Sequence, residues 1–193
     1  TNISIAKAED IDLDGDLDLF VGSRSVPQQF GVNPKSYIYQ NDGTGYFTEI
    51  TKTFAPELAE VGMIRDAVFA DIDGDKRKEL IVVGDWMAPA IFGFQKDGFG
   101  RIKSTIDTYN GFWGAIKSVD IDNDKDMDLI LGNMGENCII KSSPETPNKI
   151  WVKDFDKNGN IDKILTKTID KKDYPYFLKR EMISLVSLDL API

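Results

Sequence analysis

A chain of 193 residues that is 41% hydrophobic and 10% aromatic has enough apolar material for one domain with a sizeable core. No run approaches the length of a transmembrane segment, and a net charge of −9 makes nucleic acid an unfavourable partner. The absence of histidine excludes Ser-His-Asp and Cys-His catalytic arrangements and any His-ligated zinc or iron site, and the single cysteine, Cys138, cannot form an internal disulfide.

Residues 3–8 alternate between apolar and polar and predict a strand leading into an aspartate-rich turn. Residues 17–21 form the next predicted strand. After a connection holding Pro27 and Pro34, residues 35–40 alternate again and reach Asn41-Asp42-Gly43, a hairpin signal, before a fourth strand at 46–50. A second unit follows the same plan, with strands expected at 66–70, 79–83, 90–95 and 100–104. A third opens at 114–119 and continues at 127–131. A fourth opens at 149–153 and continues at 163–167. Beyond Pro175, residues 176–190 carry helical spacing. Cys138, beside Ile139 and Ile140, reads as a buried structural thiol.

The turn between the first two strands of each unit is the informative feature. Asp10, Asp12, Asp14, Asp16 and Asp18 stand at every second position, with Gly15 among them. A flat strand would set all five carboxylates on one side, where they repel. A tight loop instead wraps them around a hard cation, because Ca²⁺ takes 6–8 oxygen ligands. With Asp10 as position 1, side chains at positions 1, 3, 5 and 9 and the carbonyl of position 7 are the expected ligands. The same offsets recur as Asp71, Asp73, Asp75, Arg77 (by its carbonyl) and Glu79. They recur again as Asp120, Asp122, Asp124, Asp126 and Asp128, and as Asp154, Asp156, Asn158, Asn160 and Asp162. Position 6 is glycine in the first and fourth loops, which suits a left-handed backbone. It is Lys76 in the second and Lys125 in the third. An isolated loop of this kind could be a solvated acidic turn; four at matched offsets predict up to four Ca²⁺ sites.

An EF-hand also uses positions 1, 3, 5, 7 and 9, but it needs a bidentate glutamate at position 12 and flanking helices. Position 12 is Val21, Val82, Leu131 and Leu165 here, and β-rich runs follow the first three loops. The EF-hand is excluded. Antiparallel four-stranded units repeating every ~40–50 residues suggest propeller blades, with a stacked solenoid as the alternative.

The loops and their trailing strands resemble the FG-GAP/VCBS repeats of integrin α-subunit β-propellers. The supporting stretches include residues 40–51, 62–75, 111–113, 131–137 and 154–162, together with Tyr174-Pro175. They look closest to the bacterial branch of secreted proteins related to cartilage acidic protein, which often carry an ASPIC/UnbV domain. That domain itself is not recognisable in this chain. The resemblance implies an all-β fold: a β-propeller segment of three four-stranded blades at about 1–55, 62–108 and 112–143. Part of a fourth blade and a short C-terminal helix would occupy 148–193. Such propellers close at about seven blades, so the chain is expected to be a segment of a longer protein, with an apolar face at each end.

The expected role is a non-catalytic, calcium-stabilised binding or scaffolding segment of an exported bacterial protein. Its partners would be the remaining blades of the parent chain or another subunit, and an extracellular protein or glycan. Trp86, Phe112 and Trp113 are candidate docking aromatics, although their spacing fits inter-blade core better. The competing reading is a propeller-type polysaccharide hydrolase or lyase. It lacks a carboxylate pair separate from the loop ligands.

Overall fold

The computed structural model describes residues 1–177 apart from Asp97, Glu136 and Ile139. The fold is all-β, and it divides into two compact units. The first comprises residues 1–27 and 33–135; the second comprises 28–32 and 136 onward. The helix expected from 176 falls almost wholly outside the described residues. Tyr176 itself is not helical; its amide donates to the Leu165 carbonyl at 3.0 Å.

In the first unit, β1 (Asn2–Glu9), β2 (Asp18–Ser25), β3 (Tyr37–Asn41) and β4 (Phe47–Glu49) form an antiparallel meander in sequence order. A one-turn helix, α1 (Thr51–Phe54), and a 3-10 turn (Pro56–Leu58) lead to the second meander. Its strands are β5 (Met63–Ala70), β6 (Glu79–Met87), β7 (Ala90–Gln95) and β8 (Gly98–Ile102). The third repeat supplies β9 (Gly111–Val119) and β10 (Asp128–Asn133). Among the described residues, two strands stand where the four of a complete blade over 112–143 were expected. The chain after Asn133 passes through Gly135, Pro144 and Pro147, where ladder pairing is hard to sustain. β9 itself also pairs the end of β6 through Asp85↔Phe112 and Met87↔Gly111. Trp86, at φ 58°, bends β6 between those two pairs and meets Phe112 edge to face at 5.0 Å. The second unit holds β11 (Asn148–Lys153), β12 (Asp162–Ile169) and β13 (Lys172–Pro175) as an antiparallel sheet.

β6 explains the core. Its run Leu80-Ile81-Val82-Val83 is fully buried, although alternate residues of a strand face opposite ways. Leu80 and Val82 join Phe20, Ile38, Leu58, Ile64 and Phe92 in one apolar cluster, shared with the first meander. Ile81 and Val83 join Ala70, Ile91 and Ile116 in a second cluster, shared with β9 and β10. The middle sheet is covered on both faces, which is why its central strand reads as an unbroken apolar run. Trp113 packs against the second cluster, as the core reading expected. Cys138 is half-buried.

Side chains also tie the first strands together. Ser4 Oγ on β1 donates to the Ile64 carbonyl on β5 at 2.7 Å, and Asp66 Oδ2 on β5 accepts the Ile116 amide on β9 at 3.0 Å. β5 runs so close to β6 that a Cβ on Gly84 would lie 2.0 Å from the Met63 carbonyl oxygen. At Gly132, which ends the matching apolar run of the third repeat, the nearest atom would be 3.8 Å away. Gly84→Ala should therefore destabilise the protein by about 1–3 kcal/mol through overpacking. Gly132→Ala should stay within ~0.5 kcal/mol. Urea denaturation of the two variants checks the contrast.

Candidate metal centres

Each aspartate loop is the hairpin connection between the first and second strands of its repeat. The residue before position 1 pairs with position 9 in all four: Glu9↔Asp18, Ala70↔Glu79, Val119↔Asp128 and Lys153↔Asp162. That common register leaves eight residues to make each reversal, and they make it alike.

Backbone amides inside the loop bond to its own carboxylates. Position 1 takes two of them: Asp10 accepts from Asp14 and Gly15, both at 3.1 Å, and Asp154 from Asn158 and Gly159 at 3.1 and 2.9 Å. Asp71 accepts from Gly74 and Lys76 at 2.8 and 2.9 Å, and Asp120 from Asn123 and Lys125 at 2.7 and 3.1 Å. Position 9 accepts the amide of position 2 each time. The pairs are Asp18 with Ile11, Glu79 with Ile72, Asp128 with Ile121, and Asp162 with Phe155, at 2.9–3.0 Å. Glu79, one methylene longer than aspartate, keeps this contact because Gly93 leaves room opposite it. A Cβ on Gly93 would sit 3.1 Å from the glutamate stem.

These bonds bring positions 1, 3 and 9 together. Asp10, Asp12 and Asp18 offer oxygens within 4.8 Å of one another, as do Asp71, Asp73 and Glu79, Asp120, Asp122 and Asp128, and Asp154, Asp156 and Asp162. Position 5, also an expected ligand, makes a backbone contact of its own. Asp14, Asp75, Asp124 and Asn158 each accept the amide of position 7, from Asp16, Arg77, Asp126 and Asn160, at 2.7–3.2 Å. Position 5 thus shapes the loop around the trio with one of its oxygens.

The backbone is left-handed at position 6, as the glycines predicted, and also at position 4, where only Gly74 and Asn123 are residue types that favour it. Leu13, Gly74, Asn123 and Lys157 have φ of 65°, 80°, 64° and 60°. Lys76 and Lys125 hold φ of 73° and 81° at position 6, where the other two loops use glycine.

Among the described residues, no lysine or arginine forms an ion pair with the twelve carboxylates of the four trios. Burial pushes the Asp18 carboxyl above the usual aspartate range, against the amides of Asn41 and Ile11, which pull it down. Burial likewise raises Glu79, against the Ile72 amide. Asp16 is raised by desolvation and then by Asp14 and Asp18, and one of its oxygens has no hydrogen-bond partner. In the third loop the Asp126 amide holds Asp124 low, while a hydrogen bond to the Asp124 carboxylate raises Asp126. Hard oxygen donors, convergent and without a cationic partner, fit a divalent cation such as Ca²⁺.

The strained lysines generate one prediction. Relief of ~1–2 kcal/mol of left-handed strain exceeds the ~0.5–1 kcal/mol entropic cost of glycine. Lys76→Gly and Lys125→Gly should each stabilise by about 0.5 kcal/mol. Gly15→Ala, with open space around the new Cβ but φ of 100°, should destabilise by ~1 kcal/mol or more. Thermal denaturation decides.

The raised carboxyls generate another. Without metal, Asp18 and Glu79 hold their protons more tightly folded than unfolded. Their contribution therefore favours folding at low pH and is lost as pH rises through the raised folded values. A cation that needs them ionised reverses the order. Carbon-detected NMR titration in chelator should place both above ordinary carboxylates, and a bound divalent cation should bring both down.

A family model for the FG-GAP-like repeat matches residues 10–82 and again 71–131. Each match begins on a position-1 aspartate and runs through the next loop. No curated protein and no solved structure matches the chain.

Proposed function

Because the chain belongs to the FG-GAP-like repeat family, its matches spanning residues 10–131 of 193, we propose that it is a non-catalytic, calcium-stabilised segment of a β-propeller. The observation that carries this reading is the trio of carboxylates at positions 1, 3 and 9, held alike in four loops. The fourth lies beyond the matched residues and has the same amide pattern. All-oxygen ligands favour Ca²⁺ over Zn²⁺ or Cu²⁺, and Mg²⁺ competes poorly because it demands a tight octahedron. Asp10, Asp12 and Asp18, with their counterparts in the other loops, would hold the ion, and the carbonyl of position 7 would add to them. Bound calcium would relieve the repulsion inside each hairpin turn and lock the register of the two strands it joins.

Weak calcium modules fill where the ion is millimolar, which supports an exported protein of the bacterial branch that resembles cartilage acidic protein. Among the described residues, no helix is long and apolar enough to cross a membrane. In this reading the remaining repeats of a parent chain, or another subunit, cover the ends of the segment. The connections between strands dock an extracellular protein or glycan.

Differential scanning calorimetry tests the calcium reading. A site filled at a hundredfold excess over Kd stabilises by about 2.7 kcal/mol. Chelation should lower the melting temperature by several degrees, and calcium should restore it. Asp12→Ala and Asp122→Ala, at position 3, should each remove one site's share. A melting curve unchanged by chelator, or restored by Zn²⁺ and not by Ca²⁺, would overturn the reading.

A further inference from the structure

The first strands of the three repeats in the first unit border a cavity of about 430 Å³. Asn2 and Ser4 of β1, Arg24 and Ser25 at the end of β2, Arg65 of β5 and Gly114 of β9 line it. The volume falls within the range of small-molecule sites, ~300–1,000 Å³.

The two arginines converge on one buried carboxylate. Arg24 Nε lies 3.0 Å from Asp85 Oδ2, and Arg65 Nη1 lies 3.3 Å from Asp85 Oδ1. The Asp85 side chain is 5% exposed, against 49% and 31% for the arginines. One negative charge against two positive ones leaves a local excess of one, in a chain whose net charge is −9. Each guanidinium has five N–H donors, and Asp85 takes one from each. The carboxylate thus fixes both forks in place while most of their donors stay unspent on it. Guanidinium forks match planar carboxylates in two-point contacts, and prior fixing lowers the entropy cost of binding. Beside them Asn2 Nδ2 donates to Ser25 Oγ at 3.0 Å. The Asn2 carbonyl and the Ser25 hydroxyl hydrogen remain to meet hydroxyl groups.

We propose that this cavity binds a hydroxy-carboxylate of sugar-acid size, its carboxylate on Arg24 and Arg65 and its hydroxyls on Asn2 and Ser25. The proposal rests on reading the chain as a binding module, and it is separate from calcium, since no loop carboxylate lines the cavity.

Titration calorimetry of the 193-residue chain with D-galacturonate, D-galactose and inorganic phosphate tests it. Galacturonate should bind saturably, and at least tenfold more tightly than either of the others. Arg65→Gln should weaken it at least tenfold. Gly114→Phe should abolish binding by filling the cavity while leaving the arginines and Asp85 untouched. A Cβ there meets nothing nearer than the Gly132 carbonyl oxygen at 3.9 Å, so this variant should fold even if Arg65→Gln does not. Absent galacturonate binding, equal binding of galactose, tighter binding of phosphate, or full binding by folded Gly114→Phe would each overturn the proposal. The chelator response of the melting curve, taken on the same sample, reports separately on the calcium reading.

Discussion

Three carboxylate groups gathered within 4.8 Å repel one another, and the loops of this protein are built around managing that repulsion. Two unit charges 4 Å apart interact by ~1 kcal/mol in water and ~4 kcal/mol at an effective dielectric of 20. The backbone answers first. Amides of positions 2 and 6 turn inward in every loop, those of positions 4 or 5 join them, and left-handed residues at positions 4 and 6 make the turning possible. The backbone geometry and the charge arrangement are therefore one structure. The turn cannot relax without losing the hydrogen bonds that hold its carboxylates. It also sets the register of the two strands it joins, and so decides which side chains face the core.

That register matters most in β6. A slip of one residue would exchange Leu80 and Val82 with Ile81 and Val83 between the two clusters. Both sets are apolar, so hydrophobicity alone would resist the slip weakly. The specification comes from elsewhere: Gly84 must lie under the Met63 carbonyl, and Glu79 must reach the Ile72 amide at 3.0 Å. A strand buried on both faces therefore depends on the loop before it and the glycine after it.

The loops were the most legible part of the sequence because their offsets are local. The positions that gather, the glycines at 15 and 159 and the strands on either side were all readable from spacing. Position 4 was not, because Leu13 and Lys157 give no sign of a left-handed backbone. β13 escaped for the same reason. Its two-residue turn from β12 uses Asp170 and Lys171 at φ of 49° and 63°, where a hairpin signature would show Asn-Gly or Asp-Gly. The extension of β6 to Met87 and of β9 to Gly111 depends on pairing between strands that do not follow one another in the chain, which no local pattern encodes. The third repeat misled for a related reason. Its first two strands match the others, and nothing in them reports that no third strand follows among the described residues or that β9 also pairs β6.

The loops also contain cations of their own, and their placement bears on what the carboxylates are for. Lys76, Arg77 and Lys78 follow Asp75 directly, and Lys125 and Lys157 lie within the third and fourth loops. Any of them could in principle neutralise the trio from inside. Lys78 instead pairs with Glu9 on the first repeat at 2.8 Å, and the Arg77 guanidinium lies over the Phe94 ring at 5.1 Å. Where the fold does neutralise a carboxylate internally, at Asp85, it brings two arginines and buries the acid beneath them. The contrast separates two uses of negative charge. Asp85 anchors strands and fixes a pair of guanidinium groups. The loop carboxylates keep their amide bonds on one side and gather their remaining oxygens within 4.8 Å of one another, an arrangement that could hold a cation from solution.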